Sequence, residues 1–230
     1  MKTLGLFGGS FKPFTTGHFA KLALALQEND EVILFYTISK RDKEGAVITK
    51  EMSREIYEIV SPALKEEYGD KLKIKISNPT PIINIFEEIG SLKDNTSEYD
   101  KITIYGGEDI IPTFITSVIG KKTKAGEDKE EKYYGDLYRS GKIVFKCMGE
   151  SNEDLEVLKN ALSSSGHAGN LEEKALIRGT QIRKFVQNKD INGIINYLPN
   201  VLTSENKNNI VDILFSNQHT NQGVLLPYVG

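Results

Sequence analysis

Residues 8–27, GGSFKPFTTGHFAKLALALQ, decide the fold, and they directly follow the apolar run KTLGLF at positions 2–7. The apolar run predicts a strand that breaks at Gly8 and Gly9. A helix is predicted to begin near Thr16, with Thr15 or Thr16 as its N-cap. One face of that helix is apolar and consists of Phe19, Leu22, Ala23 and Leu26. A strand, a glycine turn and a helix in this order predict the first β–α unit of an α/β protein.

The same alternation continues along the chain. Four further runs rich in β-forming residues predict strands at 30–37, 70–76, 100–106 and 141–148. Segments with helical periodicity lie at 17–28, 50–66, 82–92, 109–118 and 152–163. Short strands joined by helices favour parallel pairing through right-handed crossovers. The sequence therefore predicts an α/β fold: a doubly wound, five-stranded, parallel Rossmann-like sheet with a helical C-terminal appendage.

Two regions depart from this alternation. Residues 120–142 are charged and spaced by glycines, which predicts a mobile surface loop. From residue 179 onward the pattern is helical only. We therefore predict an α/β domain over 1–178 and a C-terminal helical segment over 179–230.

Composition narrows the class of protein. The formal net charge of −3 indicates no overall basic face, so a nucleic-acid partner is not predicted. The single cysteine, Cys147, excludes an intramolecular disulfide and a cysteine-only metal site. No charged-then-apolar leader and no run of membrane-spanning length is found. These features predict a cytoplasmic protein without a membrane partner, and they are compatible with a homo-oligomer.

The glycine turn has the properties of an anion site. Gly8 and Gly9 allow a sharp turn and a close approach of a ligand to the main chain. They end the first strand, where open α/β sheets bind their ligands. The free N–H groups of the next helix would point into the same crevice, and His18 in its first turn could donate a hydrogen bond to a phosphate oxygen. The alternative is a capped helix after a glycine turn, with His18 at the surface.

A second helix start has similar chemistry. The stretch ALIRGTQIRKFV, residues 175–186, turns at Gly179 and enters a helix with Thr180 near its cap. Arg183 lies one turn further on, on the same side as Thr180. A hydroxyl, free N–H groups and a guanidinium suit a second phosphate contact, although a helix cap beside a surface arginine explains them too. Two such helix starts together suggest the two ends of a polyphosphate.

These stretches resemble the motifs of a known superfamily. GGSFKPFTTGH (8–18) is similar to the (H/T)-x-G-H motif of nucleotidyltransferases, usually written G-x-F-D-P-x-H-x-G-H, and IRGTQIR (177–183) resembles their I-S-S-T-x-I-R motif. YGGEDI (105–110) resembles their Gly-x-Asp, and NYLPNVL (196–202) resembles a following Leu-Pro. The pattern is nearest to nicotinamide mononucleotide and phosphopantetheine adenylyltransferases. It implies transfer of an adenylyl group from ATP, with Mg²⁺, to the phosphate of a small acceptor, with release of pyrophosphate.

The resemblance also implies roles for individual residues. His18, Thr15 and Arg183 would be catalytic: His18 and Thr15 contact the reacting phosphates, and Arg183 holds the β- and γ-phosphates with Thr180. The implied nucleotide-binding residues are Gly8, Gly9, Ser10, Phe11, Lys12, Gly17, Gly107, Asp109, Arg178, Gly179 and Thr180. Basic residues after the second strand and in the next helix are candidates for the acceptor's phosphate, with solvated surface charges as the alternative: Lys40, Arg41 and Arg54. No side chain is implied as a metal ligand, because Mg²⁺ would bridge phosphate oxygens.

Several positions depart from the family's pattern. Lys12 replaces the motif's aspartate, as either a phosphate contact or a solvated surface charge. Arg178 and Gly179 stand where the second motif has serines, which removes hydroxyl contacts. The chain has no tryptophan to stack on a nicotinamide ring, and Phe114 either substitutes for it or packs in the core. Asp109 binds hydroxyls of the acceptor or the ribose, or caps a helix.

The sequence specifies the type of reaction more closely than it specifies the nucleotide and the acceptor. Cytidylyltransferases of the superfamily carry R-T-E-G-I-S-T, whereas this chain reads EEKALIRGTQIR (172–183), so ATP is favoured over CTP. Two alternatives stay open: a cytidylyltransferase, and a nucleotide-binding module without catalysis. Lys12, Gly179 and the missing tryptophan motivate the second alternative.

Overall fold

The computed structural model describes residues 2–43, 46–77, 80–93, 98–107, 115, 134–148, 156, 158–160 and 179–216. The strands are β1 (Thr3–Gly9), β2 (Glu31–Thr37), β3 (Arg41–Lys43), β4 (Ala46–Ile48), β5 (Leu72–Ser77), β6 (Lys101–Gly106) and β7 (Ile143–Cys147). The helices are α1 (Thr16–Glu28), α2 (Lys50–Tyr68), α3 (Pro81–Lys93), α4 (Gly135–Arg139), α5 (Gly179–Gln187), α6 (Ile191–Tyr197) and α7 (Ser204–Ser216). A single 3₁₀ turn, Gly69–Lys71, joins α2 to β5.

Five of the strands form one parallel sheet in the order β5-β2-β1-β6-β7. β1 lies at its centre, where Phe7 is level with Leu34 of β2 and with Tyr105 of β6. The chain leaves β1 towards β2 through α1, and it returns to the opposite side of β1 only at β6. The crevice outside the carboxyl end of β1 is therefore the switch point at which such sheets bind ligands. The predicted five-stranded Rossmann-like sheet is confirmed.

Helices cover both faces of the sheet. Side chains of α1, α2 and the C-terminal helices α5–α7 join one buried apolar cluster on one face. α3 covers the other face, where Ile85 and Ile89 are fully buried among residues of β1, β2 and β6. Because both faces are buried, the central strands are mostly apolar rather than alternating, as in β2, where six residues of EVILFYT are buried.

The sequence analysis did not predict the antiparallel hairpin of β3 and β4. Arg41 lies opposite Ile48, and Lys43 lies opposite Ala46. Ala46 and Ile48 are buried, and α5 packs against β4. Three-residue strands carry too little periodicity to be recognised, and the charged strand RDK has no β-forming residue. The hairpin brings Arg41 towards the helix that carries Arg183.

Some predicted elements lie mostly outside the described residues. Of the helices predicted at 109–118 and 152–163, the structure describes only residue 115 and residues 156 and 158–160, all helical. The loop predicted at 120–142 is described from residue 134 onward, where α4 occupies Gly135–Arg139. Among the helices that are described, none is long and apolar enough to cross a membrane.

Candidate functional site

The glycines at the end of β1 are required by packing. A Cβ atom on Gly9 would lie 2.3 Å from Cε1 of Phe11, and a Cβ on Gly8 would lie 2.6 Å from Cβ of Pro81. Real Cβ atoms do not approach other atoms so closely. The two glycines therefore let Phe11 fold back over the strand end and let α3 begin close to it.

Phe11 anchors the turn between β1 and α1. Its ring is 1% exposed and lies 5.0–5.6 Å, centroid to centroid, from the rings of Phe7, Phe14, His18 and Tyr36. The hydroxyl of Tyr36 donates a hydrogen bond to the carbonyl oxygen of Phe11 at 3.1 Å. Ring packing and this bond hold the backbone of the turn against the sheet, while the neighbouring Ser10 is exposed.

Thr15 caps α1 and orients His18. The side chain of Thr15 accepts a hydrogen bond from the N–H of His18, and the N–H of Thr15 donates to Nδ1 of His18 at 3.0 Å. Because a backbone N–H can only donate, Nδ1 is unprotonated, and a neutral ring carries its proton on Nε2. Thr15 is fully buried, and His18 is partly buried.

The charge of His18 follows from its surroundings. Burial, with a smaller contribution from the nearby positive charge of Lys21, lowers the pKa of the imidazole to about 3. His18 is therefore neutral near pH 7. Its Nε2–H is a hydrogen-bond donor held at the N-terminus of a 13-residue helix.

Lys12 is buried next to this helix start. It is 4% exposed, and its ammonium group donates a hydrogen bond to the hydroxyl of Ser39. Burial is the main cause that lowers its pKa to about 8, followed by the charges of Arg41 and Arg183. Because Lys12 is buried, the surface-charge alternative for it is wrong, and the charges of both arginines act on its ammonium group.

Arg183 and Arg41, whose charges lower the pKa of Lys12, lie on other elements. Arg183 lies on α5 and is 4% exposed, so the surface alternative is wrong for it as well. Arg41 opens β3, and its Nε atom is buried without a hydrogen-bond partner among the described residues. Gly179 and Thr180 begin α5, as the sequence predicts.

The other predicted site residues are more scattered. Lys40 forms an exposed ion pair with Asp42, with Nζ and Oδ2 3.3 Å apart, and Arg54 is exposed on α2. Exposed pairs of this kind contribute little to stability. Gly17 is buried in the first turn of α1, and Gly107 directly follows β6 at the same edge of the sheet. Three further candidates lie outside the described residues: Asp109, Phe114 and Arg178.

Hydroxyl groups missed by the sequence analysis lie at this edge. Ser39 holds Lys12, and Thr37 and Ser77 form a buried hydroxyl pair, 2.6 Å apart, at the ends of β2 and β5. Thr37 could have been found as the last residue of the strand predicted at 30–37, and Ser77 as the residue directly after the strand predicted at 70–76. Ser39 carried no such signal, because only the fold places it against the β1–α1 turn.

The chemistry of the site suits an anion. Its described side chains are cations, hydroxyls and a neutral imidazole donor, next to the positive end of a helix. Across the described part of the chain, no group of three or more His, Cys, Asp or Glu side chains could hold a metal ion. The arrangement can bind and polarise phosphate groups.

No model of a known protein family matches the chain. No curated protein matches it either. Solved structures do match, among them Plasmodium falciparum nicotinic acid mononucleotide adenylyltransferase complexed with NaAD, with a TM-score of 0.49 and 15% identity over 94% of this chain and 96% of that one. Thermotoga maritima TmcAL bound with alpha-thio ATP has a TM-score of 0.41 and 17% identity over 96% of this chain and 56% of that one.

A third match is a bifunctional NMN adenylyltransferase/ADP ribose pyrophosphatase from Francisella tularensis, with a TM-score of 0.34 and 14% identity over 84% of this chain and 55% of that one. At such identities and TM-scores, these likenesses assign neither an activity nor a substrate to this chain.

Proposed function

We propose that this chain is a nucleotidyltransferase that moves the adenylyl group of ATP to the phosphate of a small acceptor, such as nicotinamide mononucleotide or phosphopantetheine, and releases pyrophosphate. The observation that supports this most is at the end of β1: His18 packs on Phe11, and the next residue, Lys12, is buried and feels the charge of Arg183. His18 offers an N–H donor, and Lys12 and Arg183 offer positive charge. The motif resemblance supports the same chemistry.

The geometry suggests separate roles for His18 and Arg183 in the reaction. An oxygen of the acceptor phosphate attacks the α-phosphorus, and the bond from that phosphorus to the bridging oxygen breaks. Such transfer depends mostly on positioning and on stabilising charge, so no covalent intermediate with the protein is needed. Nε2–H of His18 would donate to an α-phosphate oxygen as its charge grows. Arg183, on α5, would hold the β- and γ-phosphates.

Mg²⁺ would enter this site as part of the substrate. The described side chains of the site are cationic, hydroxyl or imidazole groups, which do not make a carboxylate cage for a hard cation. A magnesium ion held by the phosphate oxygens of ATP would neutralise their charge during transfer. The partners we propose are thus a nucleoside triphosphate and a small phosphorylated acceptor. The division at residue 178, a cytoplasmic location and a homo-oligomer stay predictions.

Pyrophosphate release tests the proposal directly. ATP and CTP are each combined with nicotinamide mononucleotide, phosphopantetheine and a set of sugar and alcohol phosphates. Turnover with ATP and one acceptor is expected, and His18→Ala should lower kcat about 100-fold or more, since it removes a donor to the developing charge. Lys184→Gln, an exposed neighbour of Arg183, serves as the control.

Three other outcomes would contradict the proposal in different ways. Turnover with CTP alone would make the chain a cytidylyltransferase. Tight ATP binding without pyrophosphate release for any acceptor would favour a nucleotide-binding module without catalysis. Failure to bind either nucleotide would overturn both the nucleotidyltransferase proposal and the alternative of a nucleotide-binding module.

A further inference from the structure

Three elements that are distant in sequence each bring one basic side chain to the same place. Lys12 comes from the β1–α1 turn, Arg41 from β3 and Arg183 from α5. Hydrogen bonding and packing bring these elements together: Lys12 donates to Ser39, two residues before Arg41, and α5 packs against β4, the strand paired with β3. Both guanidinium groups act on the ammonium group of Lys12.

The positive charge of Lys12 and Arg41 has no carboxylate partner within the described ranges. The ion pairs of those residues include neither side chain. Lys12 contacts the neutral hydroxyl of Ser39, and the buried Nε of Arg41 has no acceptor among the described residues. Lys12 is buried and Arg41 is partly buried, and cations removed from water without counter-ions raise the free energy of the folded state. A bound anion would relieve this cost.

The number and kind of charges favour a polyphosphate over a single carboxylate. An ammonium group and two guanidinium groups can together compensate three negative charges. Pyrophosphate, or the β- and γ-phosphates of a nucleotide, carries between two and three negative charges near neutral pH, whereas a single carboxylate carries one. Arg183 also lies one turn inside α5, near the N–H groups at its start.

We infer that Lys12 and Arg41 bind the β- and γ-phosphates together with Arg183, and that this cluster takes free pyrophosphate without a nucleoside. Arg41 thereby has a different role from the acceptor-binding role predicted from the sequence. The inference deepens the proposed function, on which it rests, because the electron pair of the broken bond leaves on pyrophosphate. Lys12, which replaces an acidic residue of the resembled motif, becomes a leaving-group contact.

Calorimetric titration of the full-length chain with inorganic pyrophosphate tests the inference without any turnover. Lys12→Met and Arg41→Gln should each weaken pyrophosphate binding about 10- to 100-fold, because each removes a charge-assisted contact. Lys12→Arg keeps the charge and should stay within about tenfold of the wild type. Lys184→Gln, exposed on the same helix as Arg183, is the matched control and should bind as the wild type does.

The pH dependence gives a second readout that a merely structural role would not change. The groups facing Lys12 are Ser39, Arg41 and Arg183, and the neighbouring His18 stays neutral. Between pH 7 and 9.5 the free wild type loses the charge of Lys12, whereas Lys12→Arg keeps its charge. Pyrophosphate affinity should therefore fall with pH in the wild type relative to Lys12→Arg, a comparison that cancels the ligand's own titration.

The outcomes separate this inference from the proposed function. Wild-type pyrophosphate affinity in folded Lys12→Met and Arg41→Gln proteins would overturn the inference, even if the chain proves to transfer adenylyl groups. Weakened binding in both variants would support the inference, even if no acceptor supports turnover. Near-ultraviolet circular dichroism establishes whether each variant is folded. If Lys12→Met does not fold, the pH dependence of pyrophosphate binding in the wild type relative to Lys12→Arg supplies the test.

Discussion

Lys12 is the residue at which stability and the proposed phosphate binding are most clearly opposed. Its ammonium group is buried beside two guanidinium groups, which lowers its pKa in the folded chain to about 8 from an ordinary value of 10.5. The unfolded chain therefore binds more protons than the folded chain between these two values. The unfavourable contribution of Lys12 is fully present below pH 8 and disappears as the pH rises towards 10.5.

Lys12→Met is expected to stabilise the folded protein. At pH 7 it should raise the free energy of unfolding by about 1–3 kcal/mol, because the fall of the pKa from 10.5 to about 8 corresponds to about 3 kcal/mol and loss of the hydrogen bond to Ser39 offsets part of this gain. The gain over the wild type should shrink towards pH 10. Urea denaturation at the two pH values measures both effects. If Lys12→Met were less stable than the wild type at pH 7, the buried charge of Lys12 would not destabilise the folded protein.

His18 gives a spectroscopic prediction. Because burial lowers the pKa of its ring to about 3, its Cε1–H resonance should not titrate between pH 5 and 8, and its nitrogen shifts should report the proton on Nε2. Comparison with His18→Gln assigns the resonance. Between pH 6.5 and about 3 only the unfolded chain binds the extra proton, so His18 makes the free energy of unfolding decrease as the pH falls through that range. An ordinary titration near pH 6.5 would contradict this environment.

At the scale of elements, the β1–α1 turn depends on the fit between Gly9 and Phe11. Gly9→Ala should lower the free energy of unfolding by about 1–3 kcal/mol, since the new methyl group overlaps a ring that four aromatic neighbours hold in place. In a Phe11→Leu background the same change should be less destabilising. Urea denaturation of the four proteins completes the double-mutant cycle. If the two substitutions changed the free energy of unfolding additively, the methyl group at position 9 would not contact the ring of Phe11.

For the whole molecule, the C-terminal helices are part of the main core. α7 packs against α2, and the hydroxyl of Thr16 at the start of α1 donates to the carbonyl oxygen of Tyr197 in α6 at 3.0 Å. Leu214 of α7 is fully buried in the cluster that contains Phe11. Unfolding of the sheet and of α5–α7 is therefore expected to be one event.

Leu214→Ala should lower the free energy of unfolding by about 2–4 kcal/mol, because it leaves a cavity in the shared core. The change should shift a single transition, seen alike by far-ultraviolet circular dichroism and by the fluorescence of the tyrosines, since the chain has no tryptophan. Asn209→Ala, exposed on the same helix, should change little. Two separate transitions would instead indicate that the C-terminal helices fold on their own.

Local patterns predicted most of the fold. The five long strands lie where runs of β-forming residues predict them, and α3 (Pro81–Lys93) extends the segment predicted at 82–92 by one residue at each end. The pairing order β5-β2-β1-β6-β7 could not be predicted from the sequence, because it depends on contacts between segments far apart in the chain. The β3–β4 hairpin was missed for a related reason, since burial against α5 compensates for the low strand propensity of Arg41–Lys43.

By itself the sequence determined the alternation of strands and helices and the start of α1 after Thr15 and of α5 at Gly179, because periodicity and capping are local interactions. It also singled out His18, Lys12 and Arg183 as candidates. Only the tertiary structure decided that Lys12 is buried, that Arg41 joins Arg183 beside it, and that His18 is neutral. Burial and the distance between charges depend on which distant segments pack together, and these two quantities set the charge and the chemistry of the site.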